Sequence, residues 1–579
     1  MASTAINPGP NDPGSRRPEE RIPEYVADRD LTGGETLDGL MMDYPLTLTH
    51  LFQHGVRYFP DQEIVTQRGE GEPHRYTFAA FADRTERLAH ALDRLGVHPG
   101  DRVGTFAFNG YQHLECYFAI PGKGAVLHTL NIRLFPDDLA FVINDAEDQM
   151  IFCERSVLPL LRKVADRIPT VRLIVLFGEG EADLSGLPET IDYEELLAGS
   201  EPGADWPVLD ERQAAAMSYT SGTTDRPKGV VYSHRSSYLH SAATSTAGWI
   251  GLSYDDVLLP VVPMFHVNAW GLTHAAIGFG TKLVLPGRFL DPVHLLAQLQ
   301  AESVTVTAGV PTIWAALLNH LDQQPTPLPQ LRTIICGGSA APASLIAGFD
   351  RHGLRMTHAW GMTETSPVGT VNFVKPKLRG QSTEALLNLR AKQGIPVLGV
   401  DLRLADLDTG ETCPADSLTP GEIQVRGAWI ARAYYHDPDD HGGRFTAAGW
   451  FRTGDVATID AEGYVQIVDR AKDLVKSGGE WISSVTLEGE LMAHPKVKEA
   501  AVVGFPHSHW VERPVGFVVA RPEHRETLTK DELLEFLRPR VASFWLPDEI
   551  VFLDEVPKTS VGKFDKKLLR KQYQDLNLG

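Results

Sequence analysis

KLVLP (282–286), DPVHLLAQLQAES (291–303), RTIICGG (332–338) and PASLIAGFDRHG (342–353) follow one another through the middle of the chain. The first and third are short apolar runs that stop at Pro or Gly, the mark of a buried strand. The second and fourth space their apolar residues by three and four, which predicts helices. Strand–helix alternation of this kind predicts a parallel sheet covered by helices. The same alternation extends towards the N-terminus. TFAAFADRTERLAHALDRLGV (77–97) predicts a helix closed by Gly, and DRVGTFAFNG, AVLHTLNI and RLIVLFG predict further strands.

Beyond Pro396 the pattern changes to GEIQVRG, WFRTGD, VATID and GYVQIVD, short alternating strands with tight turns. These predict a small antiparallel β subdomain. After Arg470, WISSVTLEGELMAHPKVKEAAVVGF, PVGFVVARPE and KDELLEFLRPRV predict helix, strand, strand and helix. The expected fold class is therefore α/β: a large N-terminal domain of helix-covered, largely parallel sheets with a small β subdomain, then a small α+β domain. The boundaries are set at a tail over 1–35, a large domain over 36–468, a link over 469–474 and a small domain over 475–579.

At 579 residues, 43% apolar and 22% charged, the chain has a globular composition with ample core. Its formal charge of −21 repels nucleic acid, so no nucleic-acid partner is expected. Cys116, Cys153, Cys336 and Cys413 lie far apart, which argues for a reducing compartment without structural zinc. There is no apolar leader and no run of 18 apolar residues. A cytoplasmic protein without a membrane span is expected, with peripheral membrane contact left open.

YTSGTTDRPKGV (219–230) is the first chemical signal. Thr220, Ser221, Thr223 and Thr224 surround Gly222, and Lys228 precedes Gly229. Hydroxyls and unhindered backbone N–H groups can ring a polyphosphate, and the lysine adds a point charge. A second cluster, YYHDPDDHGGR, gathers His436, Asp437, Asp439, Asp440 and His441; it is read as a solvated loop rather than a metal site.

The glycine-threonine loop resembles the phosphate loop of the adenylate-forming enzymes, which include acyl-CoA synthetases, peptide-synthetase adenylation domains and luciferases. The resemblance continues in order through WGMTE (360–364), FRTGD (451–455), DRAKDLVKSGGEWIS (469–483) and PKTSVGKFDK (557–566). PMFHVNAWG (263–271) and GGSAAP (337–342) resemble the medium- and long-chain fatty acyl-CoA synthetases in particular. One departure is Asp225, where the family usually has a second Gly.

The resemblance implies a two-step reaction: ATP, with Mg²⁺, converts a fatty acid to its acyl-adenylate, and the acyl group then passes to coenzyme A, leaving AMP. It implies that Lys563, Thr220, Glu364 and His266 are catalytic, with Glu364 and Thr220 at the metal. The nucleotide would be held by Thr220, Ser221, Gly222, Thr223, Thr224 and Lys228 in the loop, by Gly338, Ser339, Ala341 and Pro342, by Trp360, Gly361, Met362 and Thr363, and by Asp455, Arg470 and Lys476. Adenine would lie between the 337–342 segment and Trp360, and the ribose on Asp455.

Lys472 would be the hinge on which the small domain swings between two poses, and the family often forms homodimers. Ser477, Gly478, Gly479 and Glu480 would border the coenzyme A path. His266, Val267, Trp270, Gly271, Gly309 and Val310 would line the acyl pocket, where no Asp, Arg or Lys offers an anchor for an amino acid. The expected substrate is a medium- to long-chain fatty acid. The rivals are an aryl- or short-chain acyl-CoA ligase, a ligase loading a carrier protein, a luciferase-like monooxygenase and a non-catalytic nucleotide-binding homologue.

Overall fold

The computed structural model describes residues 41–578 apart from 69, 70, 221–225, 441, 478, 479, 559–563, 575 and 577. Four sheets organise them. In the seven-stranded sheet, Glu189–Asp192, Leu173–Phe177, Met150–Glu154, Arg102–Phe106, Val126–Thr129 and Ala214–Tyr219 run parallel in that spatial order. Gly229–Ser233 closes it antiparallel. The nine-stranded sheet has a parallel centre, Met356–Gly361, Thr333–Cys336, Val306–Gly309, Val257–Pro260, Lys282–Leu285 and Glu63–Thr66, with antiparallel strands at both edges. LIVLF over 173–177 is buried throughout, as a strand covered on both faces must be.

The helices start and stop where local chemistry directs. Thr77 caps Phe78–Arg94 by accepting the Ala80 N–H at 3.3 Å, and Asp291 caps Pro292–Ala301 by accepting the His294 N–H at 3.2 Å. Pro292 holds the first helical position, where its missing N–H costs nothing. One core cluster, including Phe52, Phe81, Phe118, Tyr117, Ile277 and Leu285, fuses the two large sheets.

The antiparallel subdomain is a four-stranded meander, Val400–Ala405, Gly421–Gly427, Phe451–Ile459 and Val465–Arg470. The small domain packs the helix Ser484–Met492 on the hairpin of Val497–His507 and Val511–Ala520, with Glu549–Phe552 added in parallel. No helix among the described residues is long and apolar enough to cross a membrane.

In open α/β sheets, ligands settle beyond the carboxyl ends of strands where the strand order reverses. In the nine-stranded sheet that point is Val257–Pro260, whose successors in sequence lie on opposite sides of it. In the other sheet it is Arg102–Phe106. Buried Asn109 joins the two points. Its amide donates to the Pro260 and Val262 carbonyls at 3.0 and 2.9 Å, and its Oδ1 accepts the Met264 N–H at 2.7 Å.

Candidate active site

Ala214–Tyr219 ends at the mouth of the glycine-threonine loop and the chain returns at Gly229. Two bonds close the neck: the Thr220 N–H donates to the Lys228 carbonyl at 2.9 Å, and the Lys228 N–H donates to Thr220 Oγ1 at 3.0 Å. Ser221, Gly222, Thr223, Thr224 and the atypical Asp225 lie outside the described residues. The Lys228 ammonium stands 5.0 Å from the centre of the Tyr434 ring. The Tyr434 hydroxyl in turn donates to Glu364 Oε1 at 2.5 Å.

Glu364 lies in the short turn Thr363–Thr365, pinned at both sides. The Tyr232 hydroxyl donates to the Thr363 carbonyl at 2.8 Å, and the Ala431 N–H to the Glu364 carbonyl at 2.8 Å. Before the turn, Gly361 is required by contact: a Cβ there would stand 1.7 Å from the Pro367 carbonyl oxygen. Met362 closes the turn by donating its N–H to Thr365 Oγ1 at 2.9 Å. The Glu364 carboxyl is only 5% exposed; burial pushes its pKa up and the Tyr434 hydroxyl pulls it partly back.

Asp455 and Arg470 face each other across adjacent strands, with Arg470 Nε 2.6 Å from Asp455 Oδ1. The Trp360 indole N–H donates to the other oxygen, Oδ2, at 2.9 Å. Trp360 from a distant segment and Arg470 from the neighbouring strand thus converge on one buried carboxylate. The ring lying against the 337–342 segment is Trp270. A Cβ on Gly337 would be 3.0 Å from its indole, and one on Gly338 3.2 Å from Val310 Cγ1. Gly338 needs its φ of +82°. Ser339 is exposed, Ala341 is buried with its N–H on His358 Nε2 at 3.3 Å, and Pro342 is the N-cap of Ala343–Arg351.

The segment after Val257–Pro260 holds an unusual turn. Val267, Asn268, Ala269, Trp270 and Gly271 have φ of 45°, 50°, 50°, 58° and 67°, a full left-handed turn in which only the last residue is Gly. Each non-Gly residue there costs about 1–2 kcal/mol. Asn268 is anchored by Ser218 Oγ at 3.0 Å and Thr129 Oγ1 at 3.4 Å, both donating to its Oδ1. A Cβ on Gly271 would sit 2.7 Å from His240 Nδ1, while Gly309 faces the buried Trp314. His266 precedes the turn and shares a small cavity with Thr220, Tyr219, Asn131 and His128.

Lys472 sits in the turn between Val465–Arg470 and Val475–Ser477, and its carbonyl accepts from Arg570 at 3.1 Å. Lys476 lies in the strand Val475–Ser477. Its ammonium lies 4.8 Å from the Trp481 ring centre and 3.9 Å from Asp408. The Ser477 hydroxyl accepts from Arg513 at 2.9 Å. Glu480 begins the strand Glu480–Ile482. Gly478, Gly479 and Lys563 lie outside the described residues. Asp440 in the polar 434–444 loop caps the Arg444 and Phe445 N–H groups at 2.7 and 2.6 Å, and no metal-holding group of three or more His, Cys, Asp or Glu occurs among the described residues.

Sequence reasoning passed over Tyr434, Asn109 and Asn268. Tyr434 opened a segment set aside as solvated. The two asparagines act through partners 50 to 155 residues away, beyond any spacing rule.

Comparison with known proteins identifies the family. A family model described as "AMP-binding enzyme" matches residues 52–435, and one described as "AMP-binding enzyme C-terminal domain" matches 486–563. The chain belongs to the AMP-binding enzyme family. It is 49% identical to a long-chain-fatty-acid–CoA ligase of Thermus thermophilus, over 92% of this chain and 97% of that protein. It is 43% identical to a 3-methylmercaptopropionyl-CoA ligase of Ruegeria lacuscaerulensis, over 93% and 100%. The crystal structure of the anthranilate CoA ligase AuaEII with anthranoyl-AMP shares the fold, with a TM-score of 0.79 at 24% identity over 92% and 98% of the two chains.

Proposed function

We propose that the protein is an AMP-forming fatty acid–CoA ligase. A fatty acid and ATP give an acyl-adenylate and pyrophosphate, and coenzyme A then takes the acyl group. The observation that carries this reading is that Trp360, at the end of Met356–Gly361, fixes a buried carboxylate suited to a ribose diol, Asp455, and leads directly into the turn that buries a second carboxylate, Glu364. The 49% identical relative named for long-chain fatty acids supports the substrate class.

Glu364 fits Mg²⁺. Its carboxyl is buried, its Oε1 accepts from one tyrosine hydroxyl, and burial has raised its pKa, so a nearby cation would be favourable. With a single protein carboxylate, Mg²⁺ would draw its remaining oxygens from phosphates and water. It would supply charge neutralisation at the phosphates. Asp455 holds the ribose, oriented by Trp360 and Arg470. Thr220 and Lys228 keep the phosphate loop closed at its neck. Lys563 delivers a positive charge to the adenylation transition state, and Lys472 is the hinge.

Pyrophosphate release measured across a series of carboxylic acids, with and without coenzyme A, tests the reading. Turnover that rises with chain length supports it; turnover restricted to aryl acids overturns it. A second reading, a ligase for short thioether acids, is favoured by the 43% identical relative, and the same series separates the two. Lys563→Ala should abolish adenylate formation while leaving thioester formation from synthetic acyl-adenylate intact.

A further inference from the structure

His128 lies in the middle of the seven-stranded sheet, registered between Gly104 and Met217, and is buried. Its Nδ1 is gripped by both oxygens of Asp148, at 2.8 and 3.0 Å. Asp148 is itself fully buried, and burial pushes its pKa up while the imidazole pulls it down. A carboxylate at Nδ1 fixes the proton there and leaves Nε2 as the lone-pair nitrogen. Nε2 has no hydrogen-bond partner among the described residues. An orphaned buried nitrogen is costly unless something fills the gap.

The ring of His128 lines the same cavity as Thr220, which opens the phosphate loop, and His266, which opens the left-handed turn. The cavity has room for about one water. An imidazole held at Nδ1 by a carboxylate thus lines this cavity, and its acceptor nitrogen is unused among the described residues.

Proton accounting selects the step it would serve. A carboxylic acid is already ionised at neutral pH, so attack on ATP removes no proton. A thiol, with a pKa of about 8.5, still carries one. Glu364 and Asp455 are occupied by Tyr434, Trp360 and Arg470. We propose that His128, backed by Asp148, is the general base for the thiol in the thioester-forming step. This rests on the fatty acid–CoA ligase reading.

The thiol S–H proton passes to His128 Nε2 through the one water, as the sulfur forms its bond to the acyl carbonyl carbon. The bond from that carbon to the phosphate oxygen breaks, and AMP leaves with the electron pair. Asp148 stabilises the imidazolium until its proton is lost to solvent.

His128→Gln and, separately, Asp148→Asn test this in the full-length protein. ATP–pyrophosphate exchange reports the first step, and acyl transfer to coenzyme A from preformed acyl-adenylate reports the second. His128→Gln should leave exchange within about twofold and slow transfer on the order of 10²-fold; Asp148→Asn should slow transfer by less. The loss should shrink for an aryl thiol acceptor that is already ionised. Equal loss in both steps by a variant that melts like the parent would overturn the proposal, as would unchanged transfer.

The wild-type protein gives a measurement independent of variant folding. With a base, transfer rates to alkyl thiols at pH 6.5 stay nearly level as thiol pKa rises, whereas rates that follow the ionised fraction alone would sink the idea. Failure of the wild-type protein to make any thioester would instead remove the ligase reading itself.

Discussion

Asp455 owes its geometry to two side chains, Arg470 facing it on the next strand and Trp360 from 95 residues away. Trp360→Phe keeps an aromatic side chain, smaller than the indole, and deletes the N–H. A hydrogen bond to a charged group is worth about 1.5–3 kcal/mol, so KM for ATP should rise on the order of tenfold while kcat changes less; steady-state kinetics at saturating acid measure both. Glu364→Gln keeps the shape and the Tyr434 contact but loses the charge. Adenylation should fall on the order of 10²- to 10³-fold with a weaker dependence on Mg²⁺ concentration, read from ATP–pyrophosphate exchange in a Mg²⁺ titration. At this scale the sequence made motif residues visible but not their partners. Tyr434 lies 70 residues from Glu364, and Trp360 lies 95 from Asp455. Pairings of that span are decided by topology, not spacing.

Strands and helices with clean periodicity were readable in advance. RTIICGG folds as Thr333–Cys336 and DPVHLLAQLQAES as Pro292–Ala301. The turn at 267–271 was not readable, because Val, Ala and Trp carry no local signal for positive φ, Val disfavours it, and Asn268 alone favours single residues rather than a full turn. Tertiary anchors on Asn268, together with packing of its buried neighbours Val267 and Ala269, hold it there. The helices His234–Thr244 and Leu272–Gly278, which flank that turn, hide three histidines. Burial pushes His234 and His274 down to about 4 and His240 to about 3, with neighbouring His274 adding to the shift of His240.

The unfolded chain binds a proton on each below pH 6.5 that the folded chain refuses. Stability from these groups is therefore full above pH 6.5 and is lost as pH falls towards 4 and 3. Each contributes a slope of up to about 1.4 kcal/mol per pH unit. Buried Glu115 and Glu364, with raised pKa values, work in the opposite sense just above the ordinary carboxylate range. His240→Leu should flatten the fall in unfolding free energy between pH 6.5 and 4 by about one proton's slope, measured by urea unfolding at several pH values.

Across the whole molecule, the division into a large α/β lobe, a β meander and a small α+β lobe was legible from the change in strand style after Pro396 and Arg470. The contacts that tie the small lobe to the link and brace it internally were not. Ser484 N–H donates to Asp469 Oδ2 at 2.5 Å, Lys566 reaches Ser484 Oγ at 2.6 Å and Glu488 at 2.7 Å, and Arg570 holds Asp473 at 2.9 Å. These join residues 15 to 97 positions apart. Lys472→Pro, which fixes one backbone angle in the turn, should preserve ATP–pyrophosphate exchange and abolish acyl transfer to coenzyme A; normal transfer would show that the small lobe does not pivot there.

Asn109 stitches the carboxyl ends of both large sheets to one another through three hydrogen bonds. Two slabs riveted at that seam cannot slide or gape separately beneath a substrate. On the proposed hinge at Lys472, travel during the catalytic cycle falls to the lighter lobe, with the two joined sheets as the still bed beneath it.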